Sequence, residues 1–224
     1  MPLHWFGVVL PLDSILDEEV SEMPRTSYFN RVAVSKDPLL FTAGAPPKIE
    51  RLRQRLGDLT GCRVLEPGCG AGPLTEHLSQ WVGPEGHVMA FDSSPGMVGR
   101  CSARLKHARN ILVREGSVED WDAAQGAWDL ILLFRVFPHF QDQPAVLERL
   151  RSFLAPSGRL VICHLDGSAG LNAQHAGYEA AVQRDRLPGR AEMWAMLESA
   201  GYEVLDGLDE DGDYFFSARW GLHA

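Results

Sequence analysis

The sequence predicts an α/β protein, a three-layer sandwich built around a seven-stranded, mostly parallel sheet. From residue 59 onward, short apolar runs alternate with helical segments, which is the pattern of βα units. The last two apolar runs are separated only by Asp209-Glu-Asp-Gly-Asp213, a turn too short for a crossover helix. The last strand is therefore expected to run antiparallel to its neighbour, as in a Rossmann-like sheet closed by a hairpin.

Each predicted strand is an apolar run bounded by turn residues. The predicted strands are Cys62–Glu66, His87–Phe91, Ile111–Arg114, Leu130–Phe134, Gly158–Cys163, Tyr202–Leu208 and Tyr214–Ala218. A helix is expected to precede them, because Ile49, Leu52, Leu56 and Leu59 recur at helical spacing. Pro95 and Pro144 suit the first turn of two later helices, and Gly201 follows the last helix. The predicted helices are Gly72–Val82, Pro95–Lys106, Pro144–Leu154, Leu171–Arg184 and Arg190–Ala200.

The chain divides into an N-terminal extension and one domain. Residues 1–47 are punctuated by prolines and read as irregular, whereas 48–224 form the domain, with a helical insert near 167–188. In the extension, Tyr28-Phe-Asn-Arg31 and Phe41 supply aromatic rings and a cation. Two interpretations stay open: the extension covers a ligand site as a lid, or its aromatic side chains pack against the edge of the sheet.

Composition excludes several classes of protein. A hydrophobic content of 45% with 23% charged residues is ordinary for a globular protein and excludes disorder, collagen and coiled coil. No apolar run approaches the ~18 residues that a membrane helix requires. The net charge of −9 opposes a nucleic-acid partner. The four cysteines form no CxxC pair, which predicts reduced thiols in a cytoplasmic protein.

The strongest local motif is Val64-Leu-Glu-Pro-Gly-Cys-Gly-Ala-Gly72. An apolar strand ends in an acid, Glu66, and three glycines then alternate before a helix begins. Glycines at such spacing let a ligand approach the backbone, at the sheet edge where α/β proteins bind ligands. Pro73 stands where a dinucleotide fingerprint requires its third glycine. The alternatives are a site for a zwitterionic amino-acid tail, a dinucleotide site, or a tight turn without a ligand.

Three further segments end strands at the same edge. Asp92 ends the second strand and suits the two hydroxyls of a ribose, since Ser94 can cap the following helix by itself. Met97 on that helix offers an adaptable thioether to a base, although a helical Met more often lies in a core. Ser117 and Val118 after the third strand are candidates for binding the exocyclic amine of a purine, and Asp120 is a weaker candidate. Phe134 and Arg135 lie where the fourth strand ends and are further candidates for ligand binding.

Together these residues resemble the class I S-adenosylmethionine-dependent methyltransferases, over about Lys48 to Trp220. Glu66-x-Gly-x-Gly-x-Gly72 is similar to the family's first motif, and Asp92 to its ribose-binding acid. Ser117 departs from the aspartate usual in that family. The resemblance implies S-adenosylmethionine as cofactor. The residues that it assigns to cofactor binding are Glu66, Gly68, Cys69, Gly70, Gly72, Asp92, Ser93, Met97, Ser117, Val118, Phe134 and Arg135.

The reaction implied by the resemblance is in-line methyl displacement from a sulfonium to a small-molecule acceptor. A base is required when the nucleophile carries a proton, and histidine suits that role near neutral pH. The candidate catalytic residues are His139, His164 and His175. Asp166 and Glu179 lie near two of them in sequence, but no metal-ligand spacing is present, so no metal is predicted. The alternative is that these histidines are structural or solvated.

Other functions compete with this prediction. A methyltransferase acting on RNA or protein would require a concentrated basic face. A non-catalytic cofactor-binding module would have a closed or filled acceptor cavity. A dinucleotide oxidoreductase is disfavoured by Pro73. The prediction is therefore an enzyme acting on a small molecule, with no nucleic-acid or membrane partner.

Overall fold

The computed structural model describes residues 25–34, 44–120, 126–178 and 180–220. It contains one sheet of seven strands, ordered β3-β2-β1-β4-β5-β7-β6. The strands are β1 Arg63–Pro67, β2 His87–Asp92, β3 Ile111–Glu115, β4 Trp128–Phe134, β5 Leu154–His164, β6 Tyr202–Glu210 and β7 Asp213–Trp220. The helices are α1 Arg25–Ala33, α2 Ala45–Leu56, α3 Pro73–Val82, α4 Pro95–Arg104, α5 Gln143–Phe153, α6 Ser168–His175, α7 Ala180–Gln183 and α8 Arg190–Ser199.

The predicted fold class is confirmed. β1 to β5 pair in parallel, and β7 lies between β5 and β6, antiparallel to both. β4 illustrates why the sheet has helices on both faces. Leu130 and Leu132 pack in one cluster with α2 and α3, whereas Ile131 and Leu133 pack in another with α5 and α8. A strand buried on both faces is apolar at successive positions, which explains the unbroken hydrophobic run from Leu130 to Phe134.

The helical insert differs from its prediction. One helix over Leu171–Arg184 is wrong, because the chain forms two shorter helices, α6 and α7. The amide groups of Gly177 and Tyr178 bond back to the carbonyls of Gln174 and His175, which tightens the last turn of α6. The insert thereby turns back toward the sheet, and Nδ1 of His175 reaches the carbonyl of Asp185.

The N-terminal extension also differs, because residues predicted to be irregular form α1. The sequence of α1 gives little local indication of a helix, because the helix has no buried apolar face: only Ala33 of its nine residues is buried. Its position depends on distant partners. Oδ1 of Asn30 accepts hydrogen bonds from the Ser94 hydroxyl (2.6 Å) and the Gly96 amide (3.1 Å) at the start of α4. Phe41 and Glu179 lie outside the described residues.

Candidate functional site

A cavity of about 650 Å³ opens at the carboxyl ends of β1, β2, β3, β4 and β5. It lies where the strand order reverses between β1 and β4, the expected position of a ligand site in such a sheet. Almost all predicted site residues line it. They are Gly68, Cys69, Gly70, Asp92, Ser93, Met97, Ser117, Val118, Phe134, Arg135, His139, His164 and His175.

The glycine loop follows β1 and forms one wall of the cavity. The amides of Gly68 and Cys69 both donate to the carbonyl of Phe91, at 2.7 and 3.1 Å, which ties the loop to β2. Gly68 has φ +70°, and a Cβ there would lie 2.2 Å from Cγ2 of Val136. The loop therefore requires a residue without a side chain at this position.

Asp92 follows the loop at the end of β2. Its Oδ2 accepts the Gly70 amide and its Oδ1 the Ser94 amide, both at 2.9 Å. Burial raises the pKa of Asp92, partly offset by these two hydrogen bonds and by His139. A carboxylate has about four acceptor positions, so two oxygens aimed along the cavity wall can each accept another donor. This fits the two hydroxyls of a ribose.

Two predicted cofactor residues do not line the cavity. Glu66 is 2% exposed, and its Oε2 has no hydrogen-bond partner in the described structure. Burial raises the pKa of Glu66 well above its usual range, although a hydrogen bond from Thr75 opposes this shift. Gly72 precedes α3 with φ +80°, and a Cβ there would lie 2.6 Å from Sγ of Cys101. Packing alone therefore explains the glycine at position 72.

The adenine end of the predicted site is built from residues after β3. The hydroxyl of Ser117 donates to Oδ2 of Asp120 at 2.9 Å, and both residues line the cavity. Val118 and Met97 are each 1% exposed and supply apolar wall. Asp120 thus places a carboxylate near the position where the family usually has an aspartate, although it comes three residues later.

The three histidines lie at the other end of the cavity. Nδ1 of His139 is 2.6 Å from Oδ2 of Asp185, and Nδ1 of His175 is 2.8 Å from the Asp185 carbonyl. The rings of His139 and His175 have centroids 5.5 Å apart. Oδ1 of Asp185 also accepts a hydrogen bond from Nε of Arg25 at 3.0 Å. Asp185 therefore joins α1, the segment after β4 and the insert.

His164 differs from the other two histidines. It is 5% exposed, its Nε2 has no hydrogen-bond partner in the described structure, and its ring packs edge-on against Tyr214. Burial lowers the pKa of His164 well below its usual range, and the charges of His139 and Arg135 add to the shift. Burial also lowers the pKa of His175. Both imidazoles are therefore neutral at pH 7.

Sequence reasoning did not identify Asp185, Arg25 or Asn30 as site residues. Arg25 and Asp185 are 160 positions apart, and no local spacing relates them. In the described part of the chain, no group of three or more His, Cys, Asp or Glu side chains is arranged to hold a metal ion. Within the same residues, no helix combines the length and apolar character needed to span a bilayer.

Comparisons with known proteins identify the family of the chain. The family model described as "Methyltransferase domain" matches residues 41–206. A demethylmenaquinone methyltransferase from Lactococcus lactis is 34% identical over 110 residues, covering 48% of this chain and 44% of the relative. A ubiquinone biosynthesis O-methyltransferase from Xanthomonas euvesicatoria is 32% identical over 178 residues, covering 72% of this chain and 70% of the relative.

Solved structures share the fold. The N-methyltransferase NodS from Bradyrhizobium japonicum, solved with S-adenosyl-L-homocysteine, has a TM-score of 0.66 at 20% identity and covers 88% of this chain and 98% of its own. The chain spans 44% of the first curated relative above and 70% of the second. The family resemblance seen in the sequence is confirmed. The chain belongs to the class I S-adenosylmethionine-dependent methyltransferases, a family of enzymes whose cofactor, S-adenosylmethionine, suits the glycine loop and Asp92.

Proposed function

We propose that the protein transfers the methyl group of S-adenosylmethionine to a small-molecule acceptor. The observation that carries the proposal is the single cavity that joins the glycine loop and Asp92 to the three histidines. A non-catalytic binding module would have a closed or filled acceptor end, whereas this cavity extends past His139 to Tyr178 on the insert. The names of the two relatives refer to demethylmenaquinone and to ubiquinone biosynthesis, which supports a small acceptor.

The charge around the cavity supports the same proposal. Carboxylates of Glu119, Asp120, Asp142 and Asp166 line it, beside only two arginines, Arg25 and Arg135, among the described residues. A polyanionic phosphate backbone would be repelled by this set. With the net charge of −9, this opposes an RNA acceptor. A cytoplasmic location stays a prediction from the cysteines.

In this proposal the predicted cofactor residues that line the cavity keep their roles, except Arg135, which lies at the acceptor end. The sheet separates two ends of the cavity. Asp92 and Ser117 follow β2 and β3, whereas His139 and His164 follow β4 and β5. The nucleoside lies at the β2–β3 end, the acceptor at the β4–β5 end. Glu66 is buried below the glycine loop, and its proposed role is to support the part of the loop that binds the methionine end of the cofactor.

The proposed base is His139, positioned by Asp185. A carboxylate only accepts hydrogen bonds, so Nδ1 of His139 carries the proton of the contact with Asp185, and Nε2 is the nitrogen that can take up a proton from the acceptor. Bound S-adenosylmethionine supplies an electrophilic methyl group on a sulfonium. With the cofactor held in the cavity, Nε2 of His139 would receive the proton that the acceptor heteroatom gives up. His164 and His175 shape the acceptor end as neutral rings.

The first test is calorimetric titration of the purified protein with S-adenosylmethionine, S-adenosylhomocysteine and NAD. We expect binding of the first two and none of NAD, because Asp92 and the loop fit a nucleoside joined to an amino-acid tail. The matched variant is Asp92→Asn, which keeps the shape but loses half of the acceptor capacity and should weaken both sulfur ligands. Binding of NAD alone, or of none of the three, would contradict the proposal.

A further inference from the structure

Arg135 is the one residue other than glycine with a left-handed backbone in the described part of the chain, at φ 58°. A long side chain rarely adopts this conformation. Its amide donates to the carbonyl of Cys163 at 2.9 Å, so pairing with the end of β5 holds it there. Strained residues of this kind cluster at functional sites, where the surrounding structure maintains them.

The guanidinium of Arg135 lines the cavity and has no hydrogen bond or ion pair within the described residues. The negative charge of Asp166 acts on Arg135, but that carboxylate pairs with Nζ of Lys48 at 3.6 Å. The other arginine of the cavity wall, Arg25, is already paired with Asp185. Arg135 therefore presents an exposed guanidinium, without an ion pair among the described residues, at the wall of the cavity, where it can attract an anionic partner.

The position of Arg135 assigns this cation to the acceptor end. It follows β4, and its charge acts on His164, Asp166 and Tyr178, which belong to β5 and the insert. Asp92 lies on the other side of β1, at the end of β2. Arg135 also has apolar surface in the same cavity, because Leu171 and Tyr178 of the insert line it.

We propose that the methyl acceptor carries a carboxylate that the guanidinium of Arg135 holds through paired N–H···O hydrogen bonds. This inference rests on the proposed function and names the acceptor class for it. The planar guanidinium fork matches a carboxylate. A singly charged group suits this cavity better than a phosphate dianion, because Asp166 and Asp92 also face it. The apolar body of the acceptor packs on the insert.

The test compares acids with their amides, which differ in charge but hardly in shape. The probes are three pairs of an acid and its amide: benzoate and benzamide, 4-hydroxybenzoate and 4-hydroxybenzamide, and hexanoate and hexanamide. Phenyl phosphate tests whether a phosphate group binds instead. Each is titrated calorimetrically into the protein, alone and with S-adenosylhomocysteine. We expect at least one acid to bind about tenfold or more tightly than its amide, as is typical of a charge-assisted hydrogen bond.

The decisive variant is Arg135→Asn, because asparagine tolerates a left-handed backbone and so preserves the fold. It should abolish the preference for the acid, Arg135→Lys should keep part of it, and the exposed control Arg219→Asn should keep all of it. The proposal is overturned if no acid exceeds its amide, if phenyl phosphate alone is preferred, or if the preference survives Arg135→Asn. Failure of wild-type protein to bind S-adenosylhomocysteine would instead count against the proposed function.

Discussion

The carboxylate of Asp185 lies 2.6 Å from Nδ1 of His139 and accepts a second hydrogen bond from Arg25. The three residues come from the insert, the segment after β4 and α1. Since the carboxylate is buried, its interactions are screened by water far less than those of a surface pair. One side chain therefore orients the proposed base and anchors the N-terminal helix over the cavity.

We expect Asp185→Asn to lower the free energy of unfolding by about 1–3 kcal/mol at pH 7. Burial raises the pKa of Asp185, but the hydrogen bonds from His139 and Arg25 outweigh it and hold the pKa below 3.8. The stabilisation is present above the unfolded pKa and is lost as the pH falls through the lower folded value. Urea unfolding between pH 3 and pH 8 should show the two proteins converging at acid pH. The exposed control Asp211→Asn should change little, and a pH-independent difference for Asp185→Asn would contradict the assignment.

Glu66→Gln tests a pH dependence of stability that is opposite in sign to that of Asp185. The folded pKa of Glu66 lies well above its ordinary value of 4.5, so wild-type stability should fall as the pH rises from about 4.5 toward that folded pKa. The glutamine variant lacks this dependence and should become the more stable protein above about pH 5. Thermal unfolding at several pH values measures the difference. Equal pH profiles for the two proteins would show that Glu66 does not titrate in this way.

Gly68→Ala should disrupt the cofactor loop. Gly61→Ala is the control, because Gly61 also has a positive φ (+76°) but nothing lies within 4 Å of a Cβ at that position. Both variants carry the backbone cost of about 1–2 kcal/mol. Only Gly68→Ala also drives a methyl group into Val136, which adds about 1–3 kcal/mol. Chemical unfolding and S-adenosylhomocysteine titration measure the two effects. Equal behaviour of the two variants would sink this explanation of the loop.

Asn30→Leu should release α1 from the start of α4. It removes an acceptor for the Ser94 hydroxyl and the Gly96 amide, so those groups lose their partner at a cost of about 1–2 kcal/mol. Asn30→Asp keeps the oxygen and adds a negative charge that favours a helix N-terminus. Amide hydrogen exchange at Gly96 should accelerate in the leucine variant and not in the aspartate variant. Unchanged protection in Asn30→Leu would show that α1 is held by other contacts.

The sequence predicted those features whose causes are local. The strands at Val64 and Leu130 are apolar runs buried on both faces, and the glycine loop has its spacing written in nine consecutive residues. Asp185 and α1 escaped prediction because their causes are distant. The partner of Asp185 at His139 is 46 positions away, and α1 is fixed by residues of α4. The division of the insert into α6 and α7 was not predicted for the same reason, because Nδ1 of His175 contacts the carbonyl of Asp185, ten positions later.

The contact between Gly68 and Val136 has an evolutionary consequence. Any side chain at position 68 would occupy the space that Val136 already fills, so the cofactor loop and the start of the acceptor wall restrict each other's sequences. A lineage that adapted this protein to a new acceptor would risk its cofactor affinity with each change beside Val136. Divergence in specificity should therefore concentrate on α6, where Leu171 and Gln174 reach the cavity from the far side.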